Sequence, residues 1–459
     1  MSGLPIWVVA GPMEPGGADA IATSLKSLSE GDPLRRVGLI PSRHSRKWTF
    51  DMGSLDGATV RAPESMLPVV GSAVGVTASL NSILSACPEI RSPVIVIPDG
   101  DYVVFRFDHG VADAHALMKM VCRVSHSRFG TDGLPPEPDL PNVLHPMTRA
   151  VVHTVRTAPA AFTEAGWSVL RSRAGDLITA SRRGSGRRGE QVVHAAEAEP
   201  YCAVFVRSTR YFFEGLRRYR AAYHLDISAS ALVMHALCQS LSDTGIRVLS
   251  PVEVLVDLRR YLSAGCSTWS NFQSLSRVGY HPGTTPEAFG ADLVAALASA
   301  RPLVEAVGYV ARSRLSGLLT AGRGREEQPP DVAFPEAAAS VTLSDISRLP
   351  EMAHIRWKQG SAPLFAAALP PASRSHISVL LCSPSEGELQ MTATFFPSVF
   401  DAGKVEDALT RVIELGADHP IVPDRGAPPS ARSGSSRRRP GGRTREQEGF
   451  SSMSRHTAE

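Results

Sequence analysis

The chain has 459 residues, of which 43% are hydrophobic and 20% charged, the balance of a globular protein of two or three domains. A formal net charge of +3 is too small to indicate nucleic-acid binding, and no run of about 18 apolar residues offers a membrane span. Six cysteines with no C-x-x-C pair leave zinc-ribbon and thioredoxin chemistry unsupported, and read as buried free thiols in a reducing compartment. No basic region precedes the N-terminal apolar run, so a signal peptide is not expected and a cytoplasmic location is.

Strand and helix patterns alternate along the chain. Residues 6–11, IWVVAG, read as a strand, and Ile21, Leu25 and Leu28 follow at helical spacing. A short strand is expected over 37–42 and a helix over 75–89. Residues 93–107 read as a hairpin turning at Asp99-Gly100 between β-branched and aromatic runs. Beyond Asp113, residues Leu117, Met120, Val121 and Val124 mark an amphipathic helix. Residues 130–142 are turn-rich, 146–181 mostly helical, and 181–190, SRRGSGRRGE, Gly-rich and basic.

The second half repeats the alternation. A strand is expected over 202–208, then helices over 209–225 and 228–245. The second helix is opened by Ser228 or Ser230 and closed by Gly245. Strands are expected over 247–260 and 271–280, helices over 286–320, and a long mobile loop over 322–339. Further strands follow over 340–347, 354–360, 374–384 and 389–397. The last helix, 401–418, places Val405, Leu409, Val412 and Ile413 on one face. The organisation expected is an N-terminal lobe over 1–180, a linker over 181–194 and a C-terminal lobe over 195–424. Residues 425–459, rich in Arg, Pro, Gly and Ser, are expected to be a disordered tail.

The chain lacks G-x-x-x-x-G-K-[ST], H-E-x-x-H, G-x-S-x-G and a strand-borne G-x-G-x-x-G, so several common chemistries lose their usual signals. What stands out is residues 105–117, FRFDHGVADAHAL, where Asp108, His109 and Asp113 crowd the boundary between a strand and a helix. A histidine, with an ordinary pKa of about 6.5, suits proton abstraction near neutral pH. Asp113 can order the turn by pairing with backbone or with a distant arginine. Alternatively it is only the N-cap of the helix, and His109 only a polar residue at a strand edge. A metal site made of His109, Asp113 and His115 would lack an obvious fourth ligand, so no metal is expected.

The same stretch resembles the HHxxxDG signature of the chloramphenicol acetyltransferase-like superfamily. That group includes condensation domains of nonribosomal peptide synthetases, polyketide-associated acyltransferases, alcohol acyltransferases and wax ester/diacylglycerol acyltransferases. His109 falls on the second histidine and Asp113 on the aspartate, while Asp108 stands for the first histidine and Ala114 for the glycine. Residues 254–262 followed by 267–275 resemble the family's strand ending in an arginine and its Gly-Asn-Phe-like element, with Ser270 in place of glycine. Residues 340–347 resemble the later strand that carries a Ser or Thr near the active centre, and 391–416 the last strand and helix. The likeness runs in order over residues 1 to 420.

The resemblance implies an α/β protein of two αβ-sandwich lobes arranged in a V with a central tunnel. It implies acyl transfer from a coenzyme A or carrier-protein thioester to a hydroxyl or amine acceptor, in secondary-metabolite or lipid-conjugate biosynthesis. His109 would be the general base. Asp113 would brace the loop against Arg259; Asn271, Thr342 and Ser344 would shape the site or stabilise the oxyanion, and Asp108 would line the site and raise the pKa of His109 if ionised beside it. No bound cofactor is expected; the thioester is a co-substrate. A small-molecule or carrier-bound acceptor, an acyl carrier protein as partner, and a monomer are expected. A non-catalytic docking module for a carrier protein or enzyme is the alternative of a different class. A wax ester/diacylglycerol acyltransferase is the alternative within the enzymes, although its proline-leucine-tryptophan start is missing.

Overall fold

The computed structural model describes residues 5–29, 38–40, 49–51, 53, 72–85, 94–111, 113–129, 143–182, 200–319 and 338–415. The linker from 183 to 194, most of the loop over 322–339 and the tail over 425–459 lie outside them, as does Cys87.

Strand β1 (Pro5–Gly11) sends Ile6, Val8 and Ala10 into one hydrophobic core and Trp7 and Val9 into another. Burial on both faces explains why IWVVAG is an unbroken apolar run rather than an alternating one. Helix α1 (Ala18–Ser29) adds Ile21, Leu25 and Leu28 to the first core. After the short pair β2 (Leu39–Ile40) and β3 (Thr49–Phe50), helix α2 (Ala73–Ser85) adds Val76, Leu80 and Ile83 to the second. Strands β4 (Val94–Asp99) and β5 (Tyr102–Asp108) form the expected hairpin, but Asp99 pairs with Tyr102 and the turn is Gly100-Asp101. The φ of 59° falls on Gly100, the residue that bears it without a side-chain clash. Helix α3 (Ala114–His126) packs on α1, and helices α4 (Pro146–Thr157) and α5 (Pro159–Arg182) divide at Pro159.

Strand β6 (Cys202–Arg207) and helices α6 (Phe212–Ala222) and α7 (Ala229–Asp243) open the second half. Ser228 Oγ accepts from Ala231 N at 3.1 Å to cap α7, and Gly245, at φ 84°, lies just past its end. The single strand expected over 247–260 is instead β7 (Arg247–Val248), β8 (Val252–Asp257) and a 3-10 turn, Leu258–Tyr261. Pro251, which has no N–H to give a ladder, sits in the gap. Then come β9 (Gln273–Val278), α8 (Pro286–Ala298), α9 (Arg301–Leu319), β10 (Ala338–Asp345), β11 (Leu364–Ala368), β12 (His376–Cys382), β13 (Gln390–Phe395) and α10 (Ala402–Glu414).

Two departures from expectation concern residues 350–368. The strand expected over 354–360 is absent: a 3-10 turn, Pro350–His354, leads to a single bridge between Trp357 and Met13. Strand β11 was not anticipated, and it crosses to the first sheet, whose order is β11-β1-β5-β4. There Ala366 pairs with Val9, so a strand from the second half completes a sheet begun at the N-terminus. The large sheet runs β6-β13-β12-β10-β8-β9, with β7 also on β10. Within it β8, β10 and β12 are parallel, so their carboxyl ends lie along one edge. Among the described residues no single helix is long and apolar enough to cross a membrane, and none of the five cysteines forms a disulfide.

Candidate active site

His109 follows the last residue of β5 in a tight turn that Asp108 organises. Gly110 N donates to Asp108 Oδ1 at 2.8 Å and Val111 N to the Asp108 carbonyl at 2.8 Å. An aspartate bonding two residues ahead is a turn-forming device, so Asp108 shapes the backbone around His109.

The turn is gripped by residues 268–273, which follow the 3-10 turn and end on the first residue of β9. Asn271 Nδ2 donates to the His109 carbonyl at 2.7 Å and also lies 3.5 Å from its Nδ1. Gln273 Nε2 lies 3.1 Å from His109 Nε2. In the tautomer protonated at Nδ1, Nε2 accepts from this amide and is the basic nitrogen. Gln273 was not singled out from the sequence. Its signal was its spacing from Asn271, because residues two apart on an extended chain face the same way.

Asp113 is 2% exposed and serves three partners. It is the N-cap of α3, with Oδ1 accepting from Ala116 N at 3.2 Å. Its Oδ2 accepts from Phe272 N at 3.2 Å and lies 2.8 Å from Arg259 Nη1. Cap and brace are therefore the same residue, one carboxylate oxygen for each. Ala114 is the first residue of α3 and needs no positive φ, so alanine fits there without strain. Ser270 is buried, and its hydroxyl lies 2.7 Å from that of Thr268.

Arg259 reaches Asp113 from the 3-10 turn. Its Nε and Nη2 donate to the Thr268 carbonyl at 3.1 and 2.7 Å, and Nη1 to Asp257 Oδ1 at 3.0 Å. Burial opposes its charge, but the Asp113 and Asp257 carboxylates prevail and hold its pKa above the ordinary value. The planar fork thus ties the motif turn, the end of β8 and the approach to β9 together.

The network continues through His115. Its Nδ1 is 3.0 Å from Glu351 Oε1 and its Nε2 3.1 Å from Asp257 Oδ2. With a carboxylate at each nitrogen, both must donate, which is the imidazolium form. Burial disfavours that charge and Arg259 repels it, yet the hydrogen bonds to Asp257 and Glu351 raise the pKa to about 9. Both carboxyls are in turn held below the ordinary range, although burial alone would raise them, and Lys119 adds to the effect at Glu351.

This arrangement sets a pH dependence. Because the folded pKa lies above the unperturbed 6.5, the stabilisation is complete below pH 6.5 and is lost as pH rises through 9. After discounting for the half-exposed Asp257 it amounts to about 2 kcal/mol. Urea unfolding between pH 6 and 10 should show this decline in the native protein and a flatter profile in His115→Leu. Parallel profiles would refute the assignment.

Thr342 and Ser344 lie on β10 in different company. His376 Nδ1 accepts from Ala372 N at 3.1 Å, which leaves Nε2 to donate to Thr342 Oγ1 at 2.9 Å. Thr342 Oγ1 then donates to Glu253 Oε2 at 3.2 Å. Burial pulls the His376 pKa down to about 4, so this histidine is neutral. Ser344 is buried two residues along, in register with Leu380 of β12. The structure thus brings Asp108, His109, Asp113, Arg259 and Asn271 together and engages Thr342 with Glu253 and His376.

No family model matches the sequence, and no curated protein matches it. Solved structures do share the fold. The nonribosomal peptide synthetase FmoA3 superposes with a TM-score of 0.53 at 14% identity, over 92% of this chain and 42% of that one. The chain therefore spans less than half the length of that synthetase. The TRI3 trichothecene 15-O-acetyltransferase from Fusarium sporotrichioides gives 0.52 at 10% identity, over 90% of each chain. The first condensation domain of the calcium-dependent antibiotic synthetase, in complex with substrate analogue 2a, gives 0.51 at 15%, over 90% and 92%. The mixed α/β fold is that of condensation domains and chloramphenicol acetyltransferase-like acyltransferases.

Proposed function

We propose that this chain is a condensation-type acyltransferase that moves an acyl group from a pantetheine thioester to a hydroxyl or amine acceptor. The observation that carries the reading is the placement of His109. Protonated at Nδ1, it accepts from Gln273 at Nε2 over 3.1 Å; its backbone carbonyl is anchored by Asn271, and the start of the helix that follows is held by the Asp113–Arg259 pair. Gln273 Nε2 sits where the N–H or O–H of an acceptor would sit.

In the reaction His109 Nε2 takes the acceptor proton as the acceptor oxygen or nitrogen attacks the thioester carbonyl. The tetrahedral intermediate collapses, the carbon–sulfur bond breaks, and the imidazolium returns the proton to the thiolate. Holding both substrates against one histidine supplies the rate through proximity and general base catalysis. No covalent intermediate and no bound cofactor are needed. Asp113 and Arg259 position the turn and exchange no proton with substrate. The donor is coenzyme A or a carrier protein, and the product a secondary metabolite or lipid conjugate.

Mass analysis of products from a panel of acyl thioesters and of hydroxyl and amine acceptors tests the reading. Acylated acceptor and stoichiometric free thiol are expected. Absence of transfer across the panel, together with carrier-protein binding, would replace it with the docking module.

A further inference from the structure

At the carboxyl ends of β10 and β12 lies a cleft of about 670 Å³ whose lining includes none of the residues that hold His109. It is lined by α6, the first turn of α7 and the loops that follow the two strands. Four arginines converge on it: Arg210, Arg217 and Arg220 around α6, and Arg348 after β10.

Their charge is poorly offset. Two carboxylates, Glu214 and Glu386, also line the cleft, but Glu214 is spent on Arg218, at 2.9 Å. Among the described residues Arg217, Arg220 and Arg348 have no ion-pair partner. Arg220 Nε is buried and has no hydrogen-bond acceptor. A folded protein seldom leaves such a donor unmet.

The location is also one that binds anions. In open α/β sheets ligands gather outside the carboxyl ends of parallel strands. The N-terminal turn of α7, with Ser230 in the lining, turns the positive end of its helix dipole to the cleft. Guanidinium groups match phosphate oxygens in pairs, and the volume suits a nucleotide-sized molecule.

We propose that this cleft binds a phosphate-bearing small molecule, its phosphates held by Arg217, Arg220 and Arg348. Two sources share that chemistry: the phosphate end of the thioester co-substrate, or a separate phosphorylated metabolite. The site stands whether or not His109 performs transfer, because binding is measured without an acceptor.

Isothermal titration of the full chain with inorganic pyrophosphate, ADP and coenzyme A tests it. All three are expected to bind, more weakly as ionic strength rises. The variant Arg217→Gln/Arg348→Gln, both side chains being exposed, should keep native stability and bind at least tenfold more weakly. Coenzyme A binding tenfold tighter than ADP and weakened tenfold by the variant would assign the cleft to the co-substrate; coenzyme A affinity equal to that of ADP, or unmoved by the variant while pyrophosphate and ADP binding falls, would assign it to a separate metabolite. Failure of all three probes to bind, or equal binding by a stably folded variant, would overturn the proposal.

Discussion

His109→Ala is expected to slow acyl transfer by about a hundred- to ten-thousand-fold, the range of a lost general base, while leaving denaturant stability within about 0.5 kcal/mol of native. The two halves of this expectation rest on different atoms. The side chain supplies the Nε2 lone pair opposite Gln273. The backbone carbonyl accepts from Asn271 Nδ2, and alanine keeps it. The imidazole is only half-buried, so its removal opens no large cavity. Steady-state kinetics with the best substrates from the panel, beside urea unfolding, separate the two. Unchanged turnover would remove His109 from the chemistry. Lost activity with lost folding would make it a structural residue.

Arg259→Ala is expected to destabilise the fold by about 3–5 kcal/mol, the cost of stripping one partner from a buried ion pair. Asp113 is 2% exposed and Arg259 13%, so water cannot readily take the place of the guanidinium. The cost falls on Asp113, which would keep its bonds to Ala116 N and Phe272 N but lose its countercharge. The same change releases the Thr268 carbonyl and Asp257, loosening the segment that grips His109. Arg259→Lys should recover only part, because an ammonium keeps the charge but not the planar fork. Urea unfolding of the three proteins checks this. Equal midpoints for native protein and Arg259→Ala would show that the pair contributes nothing.

Where the chain reads clearly, one local force dominates. The helix after Asp113 shows its apolar stripe because one face is buried on α1 and the first core. The hairpin over 94–108 shows because glycine must take the turn position. Strand β11 stayed hidden because LFAAA is alanine-rich, and alanine is depleted in strands. Its five residues are extended and buried because β1 offers a pairing edge, a partner more than 350 residues away in sequence. The prolines that flank it were the available signal for a short buried strand.

The site divides in the same way. From the sequence come a histidine at a strand end and an aspartate four residues on, read either as a brace or as an N-cap, while Arg259 as its partner follows from the family resemblance. The histidine and the aspartate are residue types placed by local backbone geometry, and so the amino-acid order alone carries them. The role of Asp108 in the turn, the amide of Gln273 at the basic nitrogen and the clamping of His115 between Asp257 and Glu351 belong to the tertiary structure. Each joins groups far apart in the chain or depends on which atom of a side chain faces which. Distance, burial and the choice of donor or acceptor decide those contacts; the Asp108 bond spans two residues, but the Gln273 and His115 contacts exist only once β8, β9 and the 350–354 turn have closed on the start of α3.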